Sequence, residues 1–144
     1  MIRVLVDTNV VISALLLPNS TPARALALVL DEHRLVLTDW IIDELHEVVR
    51  RKRPDLLAAL DAFLAGIDYE LAGPGGASVP ISDPDDQPIL DAAVAGAVDA
   101  IVTGDRAFLS LGLDRPRILT ARDFLDLYPR TGAPPTTRFE EPTS

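Results

Sequence analysis

The chain has 144 residues, 48% of them apolar and only 5% aromatic, enough for one domain with a core of Leu, Val, Ile and Ala. Without cysteine it has no disulfide, no thiolate nucleophile and no cysteine-ligated zinc. Thirteen basic residues against 22 acidic ones leave a net charge of −9, the wrong sign for non-specific attraction to phosphate.

No apolar run approaches the roughly 20 residues of a membrane span, and Asp7 arrives too early for a signal peptide. A soluble, cytoplasmic protein without membrane attachment is expected. Ile2 to Val6, rich in Val and Leu, reads as a buried strand. Asp7 or Thr8 can cap a helix through Leu16, which Pro18-Asn19 ends. Ser20-Thr21-Pro22 predicts a second helix to about Asp31, with Thr21 as N-cap and proline in the first helical position. Residues 35–38 form another strand, and Thr38 caps a long helix that stops before Pro54. A helix from Pro54 to about Leu64, ended by Gly66, precedes a short edge strand at 69–72. The Gly- and Pro-rich stretch that follows, to Pro84, is an irregular loop. A helix from about Asp86 to Val98, a strand at 100–103, a short helix at 105–111 and a strand at 117–119 come next. Thr120 caps a final helix through Leu127. The domain spans 1–129, and the Pro/Thr-rich residues 130–144 are expected to be a disordered tail. Strands alternating with helices imply a mainly parallel sheet covered on both faces, a three-layer α/β/α domain.

Four acids recur where a strand stops or on the helix beside it: Asp7, Glu44, Asp86 and Asp105. In an open α/β sheet the loops at the carboxyl ends of the strands form the ligand crevice. Carboxylates gathered there repel one another unless protons or cations intervene. The pattern predicts a divalent-metal site acting on something that carries phosphate. Two such cations would change the net charge to −9 + 4 = −5, and the remaining excess suits a basic partner segment or solubility. An Asp after a strand is also an ordinary helix cap, which is the reading given to Asp39, Asp85 and Asp114. At about 100° per residue, Ile41, Ile42, Leu45, Val48 and Val49 share one side of the third helix. Glu44 lies roughly 100° from the centre of that stripe, at its boundary, whereas Asp43 and Glu47 lie roughly 160° away in solvent. His46, at the opposite boundary, is read as a surface histidine. Asp86 projects onto the face of Ile89, Leu90, Ala93 and Ala97, and Asp91 points the opposite way. An acid at the head of a buried stripe is costly unless compensated. Asp105 follows Gly104, expected to let the backbone turn sharply.

Val6-Asp7-Thr8-Asn9-Val10, Asp43-Glu44-Leu45, the stretch Asp85 to Ala93 and the stretch Ala100 to Asp105 together carry a likeness. From residue 1 to about 128 the chain resembles the PIN-domain family (named for the PilT N-terminus), especially the prokaryotic toxins of toxin–antitoxin pairs. The resemblance implies a five-stranded parallel sheet in the order 3-2-1-4-5, with the family's acids at Asp7, Glu44, Asp86 and Asp105. It also implies pocket-lining polar groups at Asn9 and Thr103. The activity implied is metal-dependent hydrolysis of RNA, with a cognate antitoxin as partner. Oxygen-only ligands favour hard cations, here one or two Mg²⁺ or Mn²⁺ ions. Asp7 and Asp86 are the first choices as direct ligands, with Asp105 completing a second site and Glu44 holding water or acting as base.

Arg50, Arg51 and Arg53 end the third helix, where cations hold RNA phosphates or simply complement the helix dipole. Arg24 and Arg106 are further candidates for phosphate contacts. Trp40 can stack a base, but half-buried packing is the expected role. An apolar helical pair near residues 10–30 offers a homodimer face. Two other readings compete. One is a phosphatase or phosphotransferase with Asp7 as nucleophile, although the second acid such enzymes use is replaced by Asn9 and no P-loop lysine motif is present. The other is a non-catalytic acidic-pocket binding module.

Overall fold

The computed structural model describes residues 1–132; most of the expected tail, 133–144, lies outside them. Five strands, β1 (Arg3–Val6), β2 (Arg34–Thr38), β3 (Glu70–Ala72), β4 (Ala100–Val102) and β5 (Arg117–Leu119), build one sheet. Every pairing is parallel and the order is β3-β2-β1-β4-β5, the three-layer arrangement expected. The helices around it are α1 (Thr8–Leu16), α2 (Thr21–Glu32), α3 (Asp39–Lys52), α4 (Leu57–Gly66), α5 (Gln87–Ala95), α6 (Arg106–Leu109) and α7 (Ala121–Leu127). Single 3₁₀ turns at Pro54–Leu56 and Pro84–Asp86 lead into α4 and α5. No helix among the described residues is long and apolar enough to cross a membrane.

The centre of the sheet explains the sequence pattern. Val4, Leu5 and Val6 of β1 and Ala100, Ile101 and Val102 of β4 are almost wholly buried. Helices cover both faces, so these strands read as continuous apolar runs rather than alternating ones. Each fully buried Val, Leu or Ile side chain stabilises the fold by about 1.5–3 kcal/mol relative to exposure. The chain winds one way from β1 to β2 and β3, and the other way to β4 and β5. The reversal falls between β1 and β4, where an open α/β sheet leaves a crevice. Asp7 follows one of these two strands and Asp105 the other.

Four local expectations need correction. Ser20, not Thr21, caps α2: its Oγ accepts from Ala23 N–H, which moves Pro22 one place further into the helix. Both residues can cap, and the extended backbone of Ser20 decides between them. The α5 segment stops at Ala95 rather than Val98, because Ala97 enters the left-handed region at φ 52°. Val98 N–H then reaches Ala93 C=O and Ala97 N–H reaches Val94 C=O, the paired bonds of a Schellman stop with alanine in the usual glycine place. Gly104 does not adopt positive φ, and a Cβ there would meet nothing within 4 Å, so the turn into α6 does not depend on glycine.

The fourth concerns Asp91, which is not pointed at open solvent. It anchors the loop after β3, accepting from Ser78 N–H and Oγ–H and from Gln87 Nε2. Gln87 also bonds Val79 C=O and Ile81 N–H. A side chain on Gly75 would collide with the Asp91 carbonyl. The loop is therefore strapped flat against α5.

Candidate active site

The end of β1 places Asp7 in the crevice, 3% exposed. Its Oδ1 accepts from Thr8 N–H at 2.8 Å and so caps α1. Its Oδ2 accepts from Thr103 Oγ1 at 2.8 Å. Thr103, fully buried at the end of β4, also accepts from Asp105 N–H through the same Oγ1. One threonine thus ties the two strand ends together. Asp105 caps α6 through Oδ1, which accepts from Ala107 N–H. Capping and function are not alternatives here, because each carboxylate has acceptor positions beyond the one its cap uses. Glu44 comes in from α3, and its Oε1 accepts from Thr8 Oγ1 at 2.6 Å.

Asp86 sits at the end of the 3₁₀ turn that leads into α5 and is 8% exposed. Its Oδ2 is buried with no hydrogen-bond partner. Asp83, Asp86 and Asp105 each present one oxygen within 4.8 Å of the others. Leaving a buried charged oxygen unsatisfied costs several kcal/mol unless a proton or cation meets it. This donor set of oxygens fits a hard divalent cation.

The electrostatics say the same. The Asp86 carboxyl is pushed up to about 8 by burial, by Asp105 alongside it, and by the charges of Asp7 and Asp83. Burial also raises Asp7, with Glu44 and Asp105 adding to the rise, while the bonds from Thr103 and Thr8 oppose it. Among the described residues, no Lys, Arg or His forms an ion pair with Asp7, Glu44, Asp83, Asp86 or Asp105.

The four expected acids and Thr103 therefore meet in one place. Asn9 is exposed on α1 and makes no hydrogen bond to them. Arg106 is exposed immediately after Asp105, and Arg24 is exposed in the first turn of α2. Arg50, Arg51 and Arg53 lie at the far end of α3, about 9–14 Å along its axis from Glu44 at 1.5 Å per residue. There Arg51 faces Glu47 and Arg53 is fastened to Asp55. His46 is held between Ile42 C=O and Asp61, and His33 between Ile2 N–H and the rings of Phe124 and Tyr128. Neither histidine bonds to an acid of the crevice.

Two site residues escaped the sequence reading, Asp83 and Thr8. The signal for Asp83 was the run Asp83-Pro84-Asp85-Asp86, since a proline-led tight turn brings residues three apart together. Thr8 was visible only as a possible cap.

A doubly wound α/β domain with carboxylates gathered at its switch point is the class that this fold and crevice define. The PIN domain family profile matches residues 3–107, a span that includes all five acids, and the chain belongs to that family. A chain of the crystal structure of VapBC2 from Rickettsia felis, bound to a DNA fragment from their promoter, is similar in fold. Its TM-score is 0.59 with 17% sequence identity, over 81% of this chain and 96% of that one. No curated protein sequence matches significantly.

Proposed function

We propose that this protein is a ribonuclease dependent on Mg²⁺ or Mn²⁺, the toxin of a toxin–antitoxin pair. The observation that carries the reading is the Asp86 carboxylate, which has a buried, partnerless Oδ2 and brings an oxygen within 4.8 Å of those of Asp83 and Asp105. Membership of the PIN-domain family, a family of nucleases, supports it, and the fold likeness to VapBC2 supports the toxin assignment. The ligands are Asp83, Asp86 and Asp105, with Asp7 on the facing strand end. An ion held there would supply Lewis-acid charge to the phosphodiester and make an adjacent water more acidic.

The protein's own groups do the rest. Asp86, whose carboxyl is pushed up to about 8 in the free protein by burial and its neighbouring acids, would hold the ion as a carboxylate. Thr103 fixes Asp7, and Thr8 holds Oε1 of Glu44, leaving Oε2 to accept a proton from the attacking water. Arg106 and Arg24, both exposed, take backbone phosphates and Asn9 orients water, while Arg50, Arg51 and Arg53 act only on RNA that reaches the far end of α3. The cognate antitoxin and a second copy of the chain are the expected partners, with the exposed Leu16 and Leu17 at the end of α1 as the dimer face. The setting is cytoplasmic.

With neither histidine at the acids, attack by the RNA 2′-hydroxyl lacks its usual acid and base. Water is the nucleophile, and the products carry 5′-phosphate and 3′-hydroxyl ends. End-group analysis of RNA cut by the purified protein tests this. Formation of 2′,3′-cyclic phosphate, or cutting undiminished in excess EDTA, contradicts it.

A further inference from the structure

The proposed chemistry leaves one large side chain unused. Trp40 is the only tryptophan in the chain, and it is 44% exposed in the first turn of α3. It forms one wall of a cavity of about 500 Å³ whose other walls include Asp39, Asp43, Gly73, Gly75 and Pro88. That volume lies in the range of small-ligand sites, roughly 300–1,000 Å³. A second depression of about 310 Å³ shares Trp40 and Asp43 with the first and continues to Glu44 and Asp85. The second depression therefore joins the cavity to the crevice at Glu44.

Apart from the Trp40 indole N–H, the cavity's exposed side-chain polar groups are of one kind, carboxylates. Thr38 Oγ1 is taken by Ile41 N–H. Gln87 and the Oδ1 of Asp91 are spent on strapping the loop after β3, and half-buried Asp91 keeps only its second oxygen, an acceptor. That leaves Asp39 and Asp43, both exposed and without a hydrogen bond or ion pair among the described residues. They stand one helical turn apart and so flank the same opening. No Lys or Arg lines either depression, so phosphate is repelled from the cavity itself.

An aromatic face beside acceptor-only groups suits a flat, uncharged ring with N–H donors along one edge. Among nucleobases, guanine alone offers two adjacent donors on its Watson–Crick edge, N1–H and the N2 amine. Adenine and cytosine place a ring-nitrogen acceptor beside a single amine, and uracil sets one N–H between two carbonyls. A carboxylate repels each of those acceptors. Resting on the ribonuclease reading for the polymer involved, we propose that this cavity takes an unpaired guanine next to the scissile phosphate. The base stacks on Trp40 and donates N1–H and N2–H to the Asp39–Asp43 pair, which makes Trp40, Asp39 and Asp43 the determinants of where the strand is cut.

Trp40 reports on its own occupancy. The protein is titrated in EDTA with the RNA tetranucleotides UUGU, UUAU, UUCU and UUUU while tryptophan fluorescence is followed. Saturable quenching by UUGU is expected, at least about tenfold tighter than by the other three. Asp39→Asn/Asp43→Asn should lose that preference while melting as the parent does. Equal affinity for all four, or a preference that survives the double substitution, overturns the proposal. Guanine-selective quenching in a protein that cuts no RNA supports the cavity and removes the ribonuclease reading, whereas cleavage without selective quenching removes the cavity alone.

Discussion

The two ends of this one sheet treat charge in opposite ways. At the amino ends of the strands opposite charges meet. Arg3 makes two bonds to Glu70, at 2.8 and 3.0 Å, and Arg34 approaches the same carboxylate. Asp99 accepts from Arg3 N–H and from Arg115. At the carboxyl ends, Asp7, Glu44, Asp83, Asp86 and Asp105 gather with hydroxyls and amide N–H groups and form no ion pair with a Lys, Arg or His among the described residues. The backbone scaffold is the same at both ends. The amino end satisfies its charges internally and serves stability, whereas the carboxyl end crowds its carboxylates with no ion-pair partner among the described residues. Such crowding costs stability in the free protein, which selection tolerates where function needs it.

Removing charge from the carboxyl end should have the largest effect. Asp86→Asn is expected to lower cleavage by at least about 10²–10³-fold, the scale of losing a group that organises transition-state charge. The same substitution should make the metal-free protein more stable at pH 8. Initial rates on a synthetic RNA, with melts of both proteins in EDTA, check the two halves together. Asp83→Asn, at an exposed carboxylate beside Asp86, serves as its partner, because removing a surface charge leaves the core intact.

Next come the groups that hold the acids. Thr8→Val removes the 2.6 Å bond to Glu44 but no carboxylate. A loss of about 10–100-fold in activity is expected, as for other outer supports of a metal site. Steady-state kinetics should place that loss in kcat. An unchanged kcat would mean that Glu44 needs no orientation.

The carboxyl end should also make the free protein sensitive to pH. Asp86 lies at about 8 in the folded protein against an ordinary 3.8. Between those values the folded state keeps a proton that the unfolded chain has released. Its contribution to stability is therefore complete below about pH 4, declines as pH rises, and is gone above about pH 8. Asp7 shifts in the same direction. Melting temperatures of the protein in EDTA should fall steadily over that window, and a profile flat from pH 5 to 8 would show that the acids are not crowded.

The smallest effect belongs to the amino end. Arg3→Ala breaks a half-exposed pair and should cost about 0.5–1 kcal/mol, with cleavage and metal response unchanged. Urea melts beside activity assays test it. A change in activity would mean that the two ends are coupled.

What could be seen in the sequence follows from the range of each signal. The strands were legible because β1 and β4 are buried on both faces, giving runs such as Val4-Leu5-Val6, whereas their order was implied only by the likeness to the PIN-domain family. Glu44 and Asp86 were legible because helical periodicity fixes which side of a helix a residue takes. The same periodicity misplaced Asp91, because it cannot register that the loop from Gly73 to Ile81 folds back over that side of α5. Asp83 stayed hidden in a tight turn ahead of the helix, where 100° per residue does not hold. Ala97 occupies a left-handed position that composition assigns to glycine, one residue away at Gly96. Local pattern reaches along an element, not across to what later packs on it.

Asp83, Asp86 and Asp105, with Asp7 beside them, are proposed to bind a divalent cation, and thermal melts at pH 8 test this most directly. Mn²⁺ binding only to the folded state should raise the parent's melting temperature, since a ligand at 100 times its Kd adds about 2.7 kcal/mol. For a chain of this size that is on the order of 5–10 °C. Asp86→Asn should start higher in EDTA and gain little from the ion. The same rise in both proteins, from the same starting point, would contradict the account.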